Sequence, residues 1–493
     1  MGHKGKGLEH LESDWLYYSH DISNLSAIPG SDIVPTQLTV KRNANLTVSL
    51  EMSGTDKYLF QKEQSKQVKA GTVTASGSMS GEVKHVGYKV ELVGVTVGRK
   101  TSNFSGEYTI YASAGSVRIT RNELEPKSAI IYAVGCPKLL FHRGTTRDVE
   151  PGKVTLSRRH IGDADLGQFG ELAFKSHGES RSSTTDYMII KNKYGTVIFS
   201  AGEPSSETDE YSPCYLQFID GQGITDREFR RRYLESVSFA LGKRLIEIGH
   251  STFSDDHQPI CQESRTPYSL NIKKEAAIHP LPPAENVLHG QFPTEEIFSE
   301  IVEAFLDNYE SLDLPNVVWP LWIARLMPLG AELVSYSSSL ESLVTMWFKN
   351  KEPQKNEYVD SDLFKGIVAS AHEQVSKLSI TEDLKETLNR KLDLANHLSI
   401  GDKKRRFFES LGLKFGNIEK KTIASRNKYA HGGSVKDADV RDLVILARCY
   451  EALINRALLA AIGSTDNYVD YSSYYFPERN ISAEMAGTNF DEN

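Results

Sequence analysis

Between about Asp32 and Phe199, apolar and polar residues alternate in short runs broken by Gly, Ser and Asn: "QLTVKRNANLTVSLEM", "GYKVELVGVTVG", "GEYTIYASAGSVRIT", "SAIIYAVG" and "DYMIIKNKYGTVIFSA". In the second run Tyr88, Val90 and Leu92 are separated by Lys89 and Glu91. A period of two sends successive side chains to opposite faces of a strand, so these runs predict half-buried antiparallel strands, enough of them for a sandwich or barrel-like sheet. "KNKYGTV" reads as a hairpin among them. The period then changes. In "GITDREFRRRYLESVSFALGKRLIEIG" the residues Phe229, Tyr233, Val237, Leu241 and Leu245 recur every four positions, which predicts an amphipathic helix capped by Thr225 or Asp226.

"HPLPPAENVLHGQFP", from His279 to Pro293, is rich in proline and polar residues and predicts an interdomain linker. Beyond it the pattern is helical: "TEEIFSEIVEAFLDNYESL" behind a Thr294 cap, "GAELVSYSSSLESLVTMWFKN" with Leu333, Leu340, Val344 and Trp347 on one stripe, "SDLFKGIVASAHEQVSKL", "ITEDLKETLNRKLDLANHL", and "NIEKKTIASRNKYA" with Asn417 as its cap. A last helix runs from near Asp437 to about Gly463, with Val440, Val444, Ala447, Ile454, Leu458 and Ala461 as its apolar stripe. Five or six such helices make a bundle. The expected fold is therefore α+β and multidomain: a β-rich region over 1–290, ending in an amphipathic helix and the proline-rich linker, an all-α domain over 291–465, and a tail over 466–493.

Composition adds three exclusions. Apolar runs such as "ALLAAIG" fall far short of the roughly 20 residues that span a bilayer, and "MGHKGKGLEHLESDW" lacks the apolar core of a signal peptide, so a cytoplasmic protein with no membrane partner is expected. The four cysteines, Cys136, Cys214, Cys261 and Cys449, have no paired spacing, which argues against a disulfide framework. "TASGSMSGE" has no lysine at P-loop spacing, which leaves nucleotide hydrolysis without support.

A formal net charge of -8 would by itself argue against a nucleic-acid partner, but the distribution is uneven. From Gly401 to His431 nine basic residues, Lys403, Lys404, Arg405, Arg406, Lys414, Lys420, Lys421, Arg426 and Lys428, face three acidic ones. From Asp466 onward the balance reverses, six acidic residues against Arg479 alone, among Tyr468, Tyr471, Tyr474, Tyr475 and Phe476. Opposite charges attract, so the tail is expected to cover the basic segment, anchored by its tyrosines.

The basic segment leads into "SRNKYAHGG", Ser425 to Gly433. With 14 histidines in 493 residues, one Arg-x4-His by chance is no surprise, so position must decide. Only here does an asparagine directly follow the arginine, and only here does the histidine fall at an expected helix end before two glycines. The looser pairs Arg244/His250 and Arg390/His397 lack both features.

An α-helical bundle with Arg-Asn-x3-His between a late helix and a long final one resembles a HEPN domain. The β-rich region of this size joined to it resembles the ApeA group of anti-phage HEPN proteins. Glu341, in "SSSLESLVTMWF", stands where that family's early helix commonly carries an acidic residue. The likeness covers about 292–465; for 1–290 it rests on architecture. It implies metal-independent RNA cleavage without a cofactor, tRNA as the favoured substrate, a phage-derived trigger, expected to be a protein, sensed by the β-rich region, and a homodimer or larger even-numbered assembly through the HEPN domain. The residue types suit that chemistry. His431 would serve as general acid/base, Arg426 would stabilise the charge of a phosphorane-like transition state, Asn427 would position, and Glu341 would support Arg426. Lys403, Lys404, Arg405, Arg406, Lys420, Lys421 and Lys428 would meet RNA phosphates. The rival is a non-catalytic HEPN scaffold with a β-rich module that binds a ligand or protein.

Two weaker constellations remain. Cys214, His250, His257 and Cys261 have the residue types of a tetrahedral zinc site but no tight Cys-x2-Cys anchor, and buried cysteines beside surface histidines are the commoner arrangement. Arg227, Arg230, Arg231 and Arg232 in "REFRRRYLE" could touch RNA, although a solvated helix face or an interface is the usual use of such a run.

Overall fold

The computed structural model describes residues 19–43, 45–55, 77–103, 105–121, 123–136, 146–150, 153–160, 174–176, 187–201, 211–255, 259–286, 294–353, 356–430 and 440–487. The chain forms two compact units, one of 1–238, 243–280 and 294–299, the other of 239–242, 281–293 and 300–493.

The first unit holds the strands β1 (Ser19–Ser23), β2 (Gln37–Arg42), β3 (Val48–Thr55), β4 (Gly77–Val83), β5 (Lys89–Ser102), β6 (Glu107–Ala114), β7 (Ser116–Thr120) and β8 (Ser128–Val134). They are followed by β9 (Thr146–Glu150), β10 (Lys153–His160), β11 (Phe174–Ser176), β12 (Tyr187–Asn192), β13 (Gly195–Ala201), β14 (Pro213–Phe218), β15 (Ile246–Phe253) and β16 (Pro259–Arg265). Helices α1 (Arg227–Ala240) and α2 (Ile272–Ala277) interrupt and follow the last of these.

One sheet runs β12-β13-β14-β8-β15-β16-β7-β5-β4-β1-β2-β3-β6, and β5 pairs again with β6. That second pairing closes β5, β4, β1, β2, β3 and β6 into an antiparallel barrel, while β7, β16, β15, β8, β14, β13 and β12 continue in that order as an open antiparallel sheet, and β9, β10 and β11 form a small sheet of their own. The long β5 serves both, with Lys89 to Val93 opposite β7 and Thr96 to Ser102 opposite β6. Gly94 marks the change of partner; its φ of +69° is a conformation that other residues adopt only with strain, and a Cβ there would lie 3.3 Å from the Gly115 nitrogen. The alternation seen in the sequence maps onto the barrel directly. Val90 and Leu92 enter its core with Leu38, Val40, Leu50 and Met52, while Lys89 and Glu91 face outward. "KNKYGTV" is the tight β12–β13 hairpin, with Asn192 opposite Gly195.

Helix α1 begins as its cap predicts: the Asp226 carboxylate accepts the Phe229 amide at 3.0 Å. It ends earlier than its stripe. The chain turns at Gly242 with φ +60°, so Leu245 is buried just ahead of β15, not on the helix.

The second unit contains α3 (Glu295–Asn308, whose first turn belongs to the first unit), α4 (Leu314–Ala324), α5 (Glu332–Asn350), α6 (Ser361–Ser376), α7 (Glu382–Leu394), α8 (Ile400–Ser410), α9 (Asn417–Ala430), α10 (Val440–Ile462) and a small hairpin of β17 (Asn467–Val469) and β18 (Glu478–Asn480). Leu333, Leu340 and Val344 of α5 are fully buried, as their spacing requires. Two helices go beyond those expected: α4, which contains Pro320, and α8, which is the basic run itself. Helix α10 differs too. Val440 and Val444 are 40% and 47% exposed, and every residue from Cys449 to Leu459 is buried, so most of this helix is a central rod, not an amphipathic one.

Two further segments pack where the sequence suggested free chain. Leu281, Ala284 and Asn286, in the first part of the expected linker, are buried, and Asn286 donates to the Tyr475 and Phe476 carbonyls. Residues 287–293 lie outside the described residues. Tyr468, Asp470 and Tyr471 of the expected tail are fully buried; the Tyr471 hydroxyl donates to the Pro282 carbonyl at 2.7 Å. Among the described residues no helix is long and apolar enough to cross a membrane.

Candidate functional site

Four helices bring polar groups together around Glu341. It stands on α5 one turn after Ser337, whose hydroxyl donates to Glu341 Oε1 at 3.0 Å, and Lys404 Nζ of α8 meets the same oxygen at 2.9 Å. Lys404 is 5% exposed. It precedes Phe407 and Phe408 by three and four residues, so helical geometry places it on their inward stripe rather than with the solvated lysines. Burial alone would raise the Glu341 pKa, but the Lys404 bond and charge, the Ser337 bond and the charge of Arg426 outweigh it, and the carboxyl is held below its ordinary range.

Arg426 comes from α9. Its charge reaches both Glu341 and the Tyr450 phenol of α10, yet it forms no ion pair with Glu341; Lys404 occupies that carboxylate instead. Arg426 Nε is buried and has no hydrogen-bond partner among the described residues. The expected Glu341–Arg426 support is thus electrostatic at longer range, and a lysine does the direct pairing. Tyr450 closes the cluster: burial, partly offset by Ser337, pushes its pKa up to about 12. Its ring stacks on Tyr336 with centroids 6.1 Å apart. Asn427 and Lys428 lie on α9 at the same end; their side chains, and all of His431, lie outside the described residues.

The expected phosphate contacts divide. Lys404 is a core ion-pair partner and is removed from that set, because a buried amine already paired with a carboxylate cannot meet solvent-borne phosphate. Arg405 is exposed and pairs with Asp402, while Arg406 donates to the Glu357 carbonyl and lies over the Tyr358 ring. Lys420 and Lys421 are exposed on α9, and Lys403 is half-buried.

Below this cluster two buried ion pairs fix α10. Arg325, at the C-terminal cap of α4, bonds Glu451, and Arg456 pairs with Glu419 of α9 at 2.9 Å, both side chains being 0% exposed in the second pair. Arg456 also donates to the Lys414, Ile481 and Ser482 carbonyls, and the Met485 amide donates to Glu419. Asp470 accepts from Ser472, Ser473 and Arg479. The segment expected to cover the basic run is therefore built into the helical unit, and Asp470 is spent inside it.

In the first unit Arg227 and Arg231 of the arginine run tie α1 to the sheet, at Glu263 of β16 and Glu247 of β15. Arg227 meets the buried Glu263 of β16 at 2.5 Å, Arg230 is 3% exposed and donates to the Gly223 and Ile224 carbonyls, and Arg231 bonds Glu228. Arg118 and Arg265 add to this network on Glu263 and Glu247, with His250 3.9 Å from both carboxylates. The zinc candidates do not gather. Cys214 on β14 interacts with Cys136 and Lys243, Cys261 on β16 with Arg118 and Thr120, and β8 separates β14 from the strand of His250. His257 lies outside the described residues.

Sequence reasoning named Glu341 and Arg426 but not Ser337 or Tyr450, and it named Lys404 only as a phosphate contact. Only the Lys404–Phe407–Phe408 spacing carried a signal. No protein-family description, curated protein or solved structure matches this chain.

Proposed function

We propose that the helical unit is a metal-independent endoribonuclease, with tRNA as the favoured substrate, and that the β-rich unit senses a phage-derived trigger, expected to be a protein, in the cytoplasm of an infected cell. One observation carries the reading most directly: Arg426 leads into the Asn427–His431 motif with a buried Nε that lacks a hydrogen-bond partner among the described residues. An unpaired buried donor costs free energy, and an anionic ligand removes that cost. Lys404 neutralises Glu341, which leaves the Arg426 charge for a phosphate. His431 then moves the proton between the 2'-hydroxyl and the leaving 5'-oxygen, Arg426 meets the extra negative charge of the transition state, and Asn427 orients an oxygen or the imidazole. A two-fold pair of copies through this unit supplies a second histidine, so that one acts as base while the other acts as acid.

Arg426→Lys tests the role of the fork. A lysine keeps the charge but offers a point donor in place of a planar pair, so cleavage should fall about 10²-fold with unfolding temperature unchanged. Wild-type cleavage by a folded Arg426→Lys variant would remove Arg426 from the reaction.

A further inference from the structure

The turn between β17 and β18 holds two successive aromatic residues in the left-handed region, Tyr475 at φ +60° and Phe476 at φ +49°. A residue with a bulky side chain adopts that conformation only with strain, and only where its surroundings impose it. Here they do. Asn286, 8% exposed, donates its side-chain amide to the Tyr475 carbonyl at 3.0 Å and to the Phe476 carbonyl at 2.8 Å. The Phe476 ring packs on Tyr471 with centroids 5.2 Å apart, and the Asp470 amide donates to the Pro477 carbonyl at 2.9 Å. What this anchorage delivers is an exposed ring. Tyr475 is 83% exposed, more than any other large apolar side chain among the described residues, and Tyr474 beside it is 42% exposed. Burial does not offset the strain at Tyr475, so its conformation serves presentation of the ring and not packing. A ring already fixed in place loses little conformational entropy when something binds it.

Asn286 also locates the charges around the ring. Its main-chain amide donates to Glu478 Oε1 at 3.0 Å, and Glu285 precedes it in the chain, so two carboxylates flank the turn. Arg479, the one basic residue from Asp466 onward, bonds the buried Asp470. An exposed aromatic face bordered by carboxylates suits a guanidinium or ammonium group, which lies on the ring while its charge meets the acids. The same carboxylates repel a phosphate backbone, which disfavours nucleic acid at this turn. We infer that the β17–β18 turn is a docking surface for a basic segment of another protein, with Tyr475 as the ring on which an arginine or lysine of that segment lies. The inference goes beyond the proposed cleavage and does not depend on it.

The test titrates the full-length chain by calorimetry, at physiological salt, with a synthetic peptide of alternating arginine and glycine, and in parallel with oligouridylate of the same length. The wild type should bind the peptide, and Tyr475→Gly should bind it about tenfold more weakly. Tyr475→Phe keeps the ring face and should keep the binding. Glu478→Gln retains an oxygen for the Asn286 amide but not the charge, and should also weaken it. Thermal unfolding separates this role from packing. Glycine takes the left-handed conformation without strain, so Tyr475→Gly should unfold no earlier than the wild type even as it loses affinity. A wild type that ignores the peptide, equal affinity in Tyr475→Gly, or earlier unfolding of Tyr475→Gly overturns the proposal. Oligouridylate bound in place of the peptide, and lost in Tyr475→Gly, overturns it too, in favour of single-stranded RNA.

Discussion

Lys404 and Arg426 illustrate how one carboxylate sorts two cations. Glu341 is 29% exposed on its side chain and Lys404 6%, so the pair is largely removed from water and each partner depends on the other. Glu341→Gln should destabilise the protein by about 1–3 kcal/mol in urea unfolding, since it strands a buried ammonium, and Lys404→Met should cost less because the carboxylate it leaves is partly exposed and still feels the Arg426 charge. Equal losses would mean that the pair is not coupled. The acid dependence follows in sign. A carboxyl whose pKa is lowered by folding contributes stability above its ordinary value of 4.5, and that contribution is lost as pH falls through the folded value. The stability gap between wild type and Glu341→Gln should therefore narrow as pH drops below 4.5. Tyr450 behaves oppositely. Its raised pKa of about 12 means that stability is lost as pH climbs from the ordinary phenol value of 10.0 toward 12, and Tyr450→Phe should flatten that part of the alkaline unfolding curve.

Among the elements, α10 and the segment after it decide the integrity of the helical unit. Arg456 and Glu419 are fully buried and share partners with residues 481–485, so removing 466–493 should unfold the unit instead of uncovering it. Tyr471→Ala should cost about 3–5 kcal/mol, measured by thermal or chemical denaturation. A truncated chain with unchanged unfolding would contradict this packing. The same elements show what the sequence could and could not disclose. Barrel strands were legible because half of each faces a core and half faces outward, as Lys89–Val90–Glu91–Leu92 shows. The α10 stripe was misread because a helix buried on all sides has no periodic contrast, and two isolated valines then looked like its inner edge. Lys404 was placed at the surface because a run of four basic residues hides the one that helical rotation turns inward. The proline-rich and tyrosine-rich stretches read as linker and tail, but they hydrogen-bond each other, as the Tyr471 hydroxyl does the Pro282 carbonyl and Asn286 the Tyr475 and Phe476 carbonyls.

At the scale of the molecule the chain pairs an antiparallel barrel-and-sheet unit with a helical unit, the division expected from the change of period near the middle of the sequence. The two units hold separate ionic networks, Glu263 and Glu247 with their arginines in one, Glu341, Glu419 and Glu451 in the other. The proposed chemistry belongs wholly to the second. Damage to the barrel core, such as Leu92→Ala, should cost about 2–5 kcal/mol, read as an earlier unfolding transition of the first unit. In the sensor–effector arrangement it should abolish triggering while leaving His431-dependent cleavage intact. The measurement that bears most directly on the account is the identity of RNA ends after total tRNA is incubated with purified protein in EDTA, in wild type and in a His431→Ala variant of equal stability. Fragments with 2',3'-cyclic phosphate are expected from wild type alone. Intact RNA from both, including protein taken from phage-infected cells, or the same fragments from both, would contradict it.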